Sequence, residues 1–461
     1  MIGKLFAKPT YEDLLDALEN KIFNEREVSA ITESLDIFSK DAQNRTFLHN
    51  VVNKDNVESI MWLVKHGIDI NAIDQNGYTA LMIAAKNNAW AAVKKLIELK
   101  ANANIKNGKG KLAIHEAIEN NAVTSFKFLK DVTNNINDTD KENKSVFSYI
   151  LDANNIEMLN SFIDDKRLNI DSSIIFNDDI YKNPDILKTF IQKKFDFTGF
   201  DKDNKSVLFY MIKNALCDLT VFEELISQGI DINHLDKFGN NILFELVQTI
   251  INTKDVKAKK QRDQLYELIP VLMEEEVDST ICNNEGENVL SLAINDKNHK
   301  LVQALLHNEV DPNTLNEKKQ SPLHISAMIG KDIFDIIFLL LDYGADSNTR
   351  DYQNKTVIER LIDAILLTKN KKRLRINERK DIDESQDYYI ILEEILSNSE
   401  ANLKQLNTHK EPYFFEALKY GNLNIVKLLI KNGADINQPA RNGLNIIYNF
   451  LEHNTSFRRE I

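Results

Sequence analysis

The side chains that could do chemistry are few and scattered. Nine histidines and two cysteines are the natural places to look for a metal centre, a nucleophile or a general base. His66, His234, His299, His307, His409 and His453 form no His-x-x-x-His pair, and none stands within ligand spacing of Cys217 or Cys282. The spacing supports no structural zinc site and no Cys-His couple, and residue order alone supports no Ser-His-Asp set. Asn107-Gly108-Lys109-Gly110-Lys111 has the outline of a phosphate loop, yet it lacks the full glycine spacing and the Ser or Thr after the lysine. Glu274-Glu275-Glu276 reads as solvated charge at a helix end. The expectation is a chain with no catalytic residues, no cofactor and no metal.

His49, His115 and His324 stand apart because they recur at one position of a repeating pattern. Its clearest copy is Asp74-Gln75-Asn76-Gly77-Tyr78-Thr79-Ala80-Leu81-Met82-Ile83-Ala84-Ala85, followed by Val93-Lys94-Lys95-Leu96-Ile97. The same order of signals starts at Asp41, Asn107, Asp140, Asp201, Asp236, Asn283, Asn316 and Asp351. From Asp41 to Asp140 the starts are about 33 residues apart. A second signature closes many units, as in Gly67-Ile68-Asp69-Ile70-Asn71 and Gly433-Ala434-Asp435-Ile436-Asn437.

Each recurring residue has a physical role. A glycine at the fourth position (Gly77, Gly239, Gly286, Gly443) suits a tight turn with positive φ, and Asn143, Asn204 and Asn354 are the next-best occupants. Thr or Ser two residues later (Thr46, Thr79, Ser145, Ser206, Ser321, Thr356) can cap a following helix. Leu81 with Ala84 and Ala85 gives that helix a narrow face for close stacking. Val93, Leu96 and Ile97 give a second helix its apolar stripe.

This pattern resembles the ankyrin-repeat family. Ser321-Pro322-Leu323-His324 is the best match to the family's Thr-Pro-Leu-His tetrapeptide, and Thr46-Phe47-Leu48-His49 keeps part of it. The resemblance runs from about Asp41 to Glu452 and implies an all-α solenoid: helix pairs joined by β-hairpin loops and stacked into a curved superhelix of roughly eleven or twelve units. At the tetrapeptide position a histidine is expected to hydrogen-bond to a neighbouring loop.

Residues 1–40 carry helix signals without the turn signature and read as an N-terminal helical cap over the open end of the array, residues 41–461. Thr10-Tyr11-Glu12-Asp13 could cap a first helix there. The unit at 171–200 is degenerate, keeping only Ile186, Leu187, Phe190 and Ile191 as a second helix. Helix-to-helix insertions fall near 254–262 and 369–380. The last repeat has a turn at Arg441-Asn442-Gly443 and a first helix around Ile446 to Leu451, then stops incomplete at Ile461.

Composition narrows the function. Hydrophobic residues make up 43% and charged residues 28%, enough to bury a core and stay soluble. The net charge of −13 argues against nucleic acid as a partner. Two isolated cysteines make no disulfide framework, and no apolar run suits a signal peptide or a membrane span. A soluble, cytoplasmic monomer is expected. Abundant Asn, Ile and Lys point to an AT-rich bacterial gene, with a secreted effector as one form it could take.

The resemblance implies a partner protein gripped on the concave side, by hairpin tips and the exposed side of the first helices. Carried onto this chain, those positions are Gln75, Asn76, Tyr78, Lys237, Phe238, Tyr352 and Gln353. For the rings two readings stand: an interface anchor, or packing on the next hairpin. The insertions supply a candidate basic edge at Lys259, Lys260, Arg262, Lys371, Lys372, Arg373 and Arg375, with a solvated loop as the plain alternative. The expected function is a protein-interaction scaffold or adaptor. The alternative is a targeting or autoinhibitory module of a longer enzyme or effector, with its activity beyond Ile461.

Overall fold

The recurring Asp or Asn that opens each repeat is explained by where its side chain goes. Asp74 Oδ1 accepts the N–H groups of Asn76 (2.8 Å) and Tyr78 (2.9 Å), closing the hairpin upon itself. Asn107, Asp140, Asp201, Asp236, Asp351 and Asn407 hold their own hairpins in the same way. Each such acceptor satisfies two amides that have no partner in a ladder. The fourth position then takes positive φ, at Gly77 (80°) as at Asn143 (61°) and Asn354 (59°). A β-carbon on Gly77 would meet the backbone nitrogen of Gly108 at 2.8 Å, so close stacking of hairpins also asks for glycine there.

After each hairpin a Ser or Thr starts the first helix. Thr79 accepts from Met82, Ser145 from Ser148, Ser321 from His324 and Thr356 from Glu359, while Ser206 occupies the same place without that bond. Seven-residue first helices follow in most repeats, because small and branched apolar residues bury their whole inner face. In the second repeat Ala80, Leu81, Met82, Ala84 and Ala85 are all at most 1% exposed.

The structure is a computed structural model that describes residues 8–20, 22–216, 218–255, 258–330, 333–374, 384–441 and 443, apart from the side chains of 368–374 and 384–385. The final helix expected at Ile446 to Leu451, together with Cys217, His453 and Arg375, lies outside the described residues. Among the described residues the chain is all α-helical, with isolated β-bridges such as Ile73 to Thr79 in place of strands. It divides into two compact units, residues 1–196 and 197–461.

In the first unit α1 (Tyr11–Glu19) and α2 (Glu25–Thr32) precede five helix pairs. These are α3 (Phe47–Val51) with α4 (Val57–Lys65), α5 (Ala80–Lys86) with α6 (Trp90–Glu98), and α7 (Ala113–Glu119) with α8 (Val123–Val132). Then come α9 (Val146–Asp152) with α10 (Ile156–Phe162), and α11 (Asp178–Tyr181) with α12 (Pro184–Gln192). Helix α1 opens with a full capping box between Thr10 and Asp13. It lies on α3, where the Tyr11 ring stacks on Phe47 at 4.2 Å, and its Leu18 carbonyl accepts the hydroxyl of Ser59 in α4 at 2.6 Å. The degenerate repeat keeps its place through aromatic packing: Phe147 lies 6.1 Å from Phe190, and buried Tyr181 donates its hydroxyl to the Ile175 carbonyl.

The described residues of the second unit hold six pairs. They are α13 (Val207–Lys213) with α14 (Leu219–Ser227), α15 (Ile242–Asn252) with α16 (Lys259–Glu274), and α17 (Val289–Asn295) with α18 (His299–His307). After these come α19 (Pro322–Ile329) with α20 (Phe334–Asp342), α21 (Val357–Leu374) with α22 (Glu384–Asn398), and α23 (Tyr413–Lys419) with α24 (Leu423–Lys431). Here the structure departs from the sequence reading. The basic stretches are helical where described: Lys259, Lys260 and Arg262 form the first turn of α16, and Lys371, Lys372 and Arg373 continue α21. Lysine, glutamine and arginine are good helix formers, so these insertions lengthen helices.

Candidate protein-interaction surface

Stacked hairpin tips bond to one another through the backbone. In the first unit Gln75 donates to the Gln43 carbonyl (3.0 Å), Gly108 to Asn76 (2.8 Å) and Lys141 to Lys109 (3.1 Å). In the second unit Lys237 donates to Asp203 (2.9 Å), Asn284 to Phe238 (2.9 Å), Glu317 to Gly286 (3.0 Å) and Tyr352 to Lys318 (3.0 Å). In each unit the tips thus form a row with a locked main chain. A rigid row of this kind loses little entropy when something docks on it.

A second lock joins tip to helix. Residues nine apart pair as Tyr149 hydroxyl to Asp140 (2.7 Å), Tyr210 hydroxyl to Asp201 (2.7 Å), Asn107 amide to Glu116 (3.1 Å) and Arg360 to Asp351 (2.6 Å). Burial works to raise the Asp351 carboxyl, but the Lys355 N–H and the Arg360 guanidinium outweigh it and hold the group below its ordinary range.

The tip residues singled out by sequence fall into two kinds. Tyr78 is half-buried and donates its hydroxyl to Glu116 of the next repeat at 2.9 Å; burial, and then that carboxylate, push its pKa up to about 12. Gln75 and Asn76 are exposed beside it. Phe238 and Tyr352 are 53% and 56% exposed. The Lys237 ammonium lies 4.9 Å from the Phe238 ring and pairs with Asp203 at 2.7 Å, while Gln353 donates to the Tyr352 hydroxyl at 2.9 Å. Of the basic residues, Lys259 and Lys260 are exposed and Arg262 turns back to donate to the Thr253 carbonyl.

The three in-register histidines are buried. Nδ1 accepts the N–H at the start of the helix, from Thr46 onto His49 and from Leu112 onto His115. The other nitrogen of His49 and His324 faces the carbonyl of Tyr78 (3.0 Å) or Lys355 (3.2 Å) in the following hairpin. His115 Nε2 has no such acceptor; the Tyr149 ring stands across from it at 5.1 Å. Burial pushes His115 down to about 4. Among the described residues no cluster of His, Cys, Asp and Glu suits a metal ion, and no helix is long and apolar enough to cross a membrane.

Two of the grooves among the described residues bear on the tips and first helices. In the first unit a groove of about 760 Å³ is bordered by the tip residues Gln75, Asn76 and Tyr78 together with Arg45, Lys86 and Lys109. Sequence spacing did not bring the last three together: Arg45 and Lys109 sit on the hairpins of the first and third repeats and Lys86 at the end of α5. In the second unit a groove of about 320 Å³ lies between α21 and α23, lined by Glu359, Tyr413 and Tyr420 among others. Neither Phe238 nor Tyr352 lines it.

Comparison with known proteins agrees with this architecture. Family models described as ankyrin repeats match residues 63–117, 256–351 and 415–441. An ankyrin repeat protein of Fowlpox virus is 31% identical over 176 residues, covering 36% of this chain and 93% of that protein. An NAD-dependent deacetylase of Dictyostelium discoideum is 24% identical over 381 residues, 75% of this chain and 46% of the deacetylase. An ankyrin repeat protein of Acanthamoeba polyphaga mimivirus is 24% identical over 266 residues, 55% of this chain and 29% of the relative. The chain thus spans less than half of these last two, and the relatives are viral and eukaryotic where composition had suggested a bacterial source. With its helix pairs, bonded hairpins and matched repeats, the chain belongs to the ankyrin-repeat family.

Proposed function

We propose that the chain is a protein-interaction scaffold that holds a partner protein on its hairpin tips and the exposed sides of its first helices. Ankyrin repeats generally serve protein interaction, and one observation carries the reading for this chain. Phe238 and Tyr352 expose more than half their surface on tips whose backbone is bonded repeat to repeat. Large rings displayed on a rigid polar edge are the residue type that anchors interfaces. Gln75, Asn76, Lys237 and Gln353 flank the rings as polar contacts. On this reading the chain works in the cytoplasm as a monomer, without cofactor or catalysis, and its net charge of −13 disfavours nucleic acid.

The test is a crosslinking pull-down from lysate of the source cell. It compares the intact chain with a Phe238→Ala, Tyr352→Ala variant of matched thermal stability. A protein recovered by the first and lost by the second is the expected result. Equal recovery would mean that the rings take no part in binding.

The match to an NAD-dependent deacetylase favours a second reading, in which the array targets or restrains a catalytic domain of a longer protein. A parent reading frame that continues past Ile461 into such a domain supports it. A frame that stops there sinks it.

A further inference from the structure

The groove in the first unit has a charge opposite to that of the chain as a whole. Four charged side chains line it: Arg45, Lys86, Lys109 and Asp74. Asp74 is buried and already engaged, since Oδ1 accepts two hairpin amides and Oδ2 lies 3.6 Å from Arg45 Nε. Among the described residues Lys86 and Lys109 have no carboxylate in ion-pair reach; Lys86 lies over the Tyr78 ring at 5.9 Å. Arg45 Nε is buried without a hydrogen-bond partner, so the guanidinium is incompletely satisfied. A groove lined by three cations and one committed carboxylate, in a chain of net charge −13, is a local reversal of sign.

The remaining lining says what kind of anion fits. Asn53, Gln75, Asn76 and Asn87 place amides around the groove, and amides pair with the N–H and C=O groups of an extended peptide. The cations come from three successive repeats, Arg45 before α3, Lys86 at the end of α5 and Lys109 at the next tip. Stacked helices lie about 8–10 Å apart and an extended peptide advances about 3.3 Å per residue. Cations drawn from successive repeats therefore suit separated carboxylates, about three residues apart, and not one compact dianion.

We propose that this groove is a docking site for an acidic, extended segment of a partner protein, its Asp or Glu side chains meeting Arg45, Lys86 and Lys109. The site rests on the interaction reading above and gives the partner its chemistry. Arg45 supplies a fork that matches a carboxylate, the lysines supply point charges, and the Tyr78 ring and Ile83 supply the apolar wall.

Fluorescence anisotropy with the full chain tests it, using a labelled twelve-residue peptide with Glu at every third position and Ser or Gly between. Binding is expected with Kd below about 100 µM at low salt, weakening steeply with ionic strength. Lys86→Gln with Lys109→Gln, both exposed and without ion pairs, should weaken it about tenfold or more. The proposal is overturned if the Gln-substituted peptide binds as well, if the double variant binds unchanged, or if no binding is seen. It is also overturned if a peptide bearing a single phosphoserine, or oligo-dT, binds more tightly than the Glu peptide. The interaction reading is judged separately. A partner lost by the Phe238, Tyr352 variant and retained by the Lys86, Lys109 variant leaves the scaffold standing and removes the groove.

Discussion

His115 shows how one side chain can be placed by a repeat and left unsatisfied by it. Its Nδ1 accepts the Leu112 N–H, which puts the proton on Nε2, and that N–H finds no acceptor. Burial holds the ring neutral, with a pKa near 4 against an ordinary 6.5. The unfolded chain thus binds a proton more readily than the folded one. The stabilisation is fully present above pH 6.5 and is lost as pH falls through about 4. That difference is worth up to about 3 kcal/mol. Urea unfolding of the intact chain between pH 7 and 4 should show the loss, and His115→Gln should flatten much of it; an unchanged slope in the variant would assign the acid sensitivity elsewhere. Asp351 makes the complementary case. It holds two hairpin amides with one oxygen and Arg360 with the other. Asp351→Asn keeps the amide acceptor and should cost about 1–2 kcal/mol, while Asp351→Ala should cost about 3 kcal/mol or more. Equal losses in thermal denaturation would mean that the guanidinium contributes nothing.

Within an element, the fourth hairpin position has a definite conformational demand. Lys319 (φ 53°) and Lys410 (φ 62°) occupy it without the freedom of glycine or the local bonding of asparagine. Lys319→Gly should therefore stabilise by about 1 kcal/mol, although most glycine substitutions loosen a chain. Gly77→Ala at the equivalent place should destabilise by about 2 kcal/mol or more, since strain at φ 80° adds to a 2.8 Å approach to Gly108. Calorimetry on the two variants decides; shifts of the same sign would break the argument. The lengthened α16 and α21 belong at this scale too. Lys259, Lys260 and Arg262 extend α16 at its first turn, so any surface they offer is ordered by helical spacing.

Over the whole molecule, stability is a sum of neighbours. Within each unit a repeat packs on its neighbours, so a weak repeat opens locally. In the first unit that repeat is the one whose first helix is the four-residue α11, preceded by a short 3-10 turn at Ser172–Phe176. Amides of residues 172–181 should exchange with solvent about a hundredfold faster than those of α5 and α7, a difference of about 3 kcal/mol in opening free energy. Uniform protection by mass-spectrometric hydrogen exchange would show that aromatic packing around Phe147, Phe162 and Phe190 compensates fully. The end of the array carries its own cover: α1 hides Phe47 and bonds to Asn50, Asn56 and Ser59 of the first repeat.

The repeat, its all-α class and the turn at its fourth position were legible in the order of residues, because local chemistry decides them. Positive φ selects Gly77 and Asn143, a hydroxyl starts the helix at Thr79, and small residues line the stacked face. The resemblance implied that each in-register histidine bonds to a neighbouring loop; His49 and His324 do so, and His115 Nε2 does not. Tertiary structure alone decided the contacts between repeats, which depend on side-chain direction and on what faces it. It tied Tyr78 to Glu116 and left Phe238 and Tyr352 in solvent, although all three were candidates as rings on hairpin tips. It brought Arg45, Lys86 and Lys109, from three successive repeats, around one groove. A repeat pattern specifies what each unit keeps the same; a surface is made by what differs from unit to unit, and only stacking places those differences side by side.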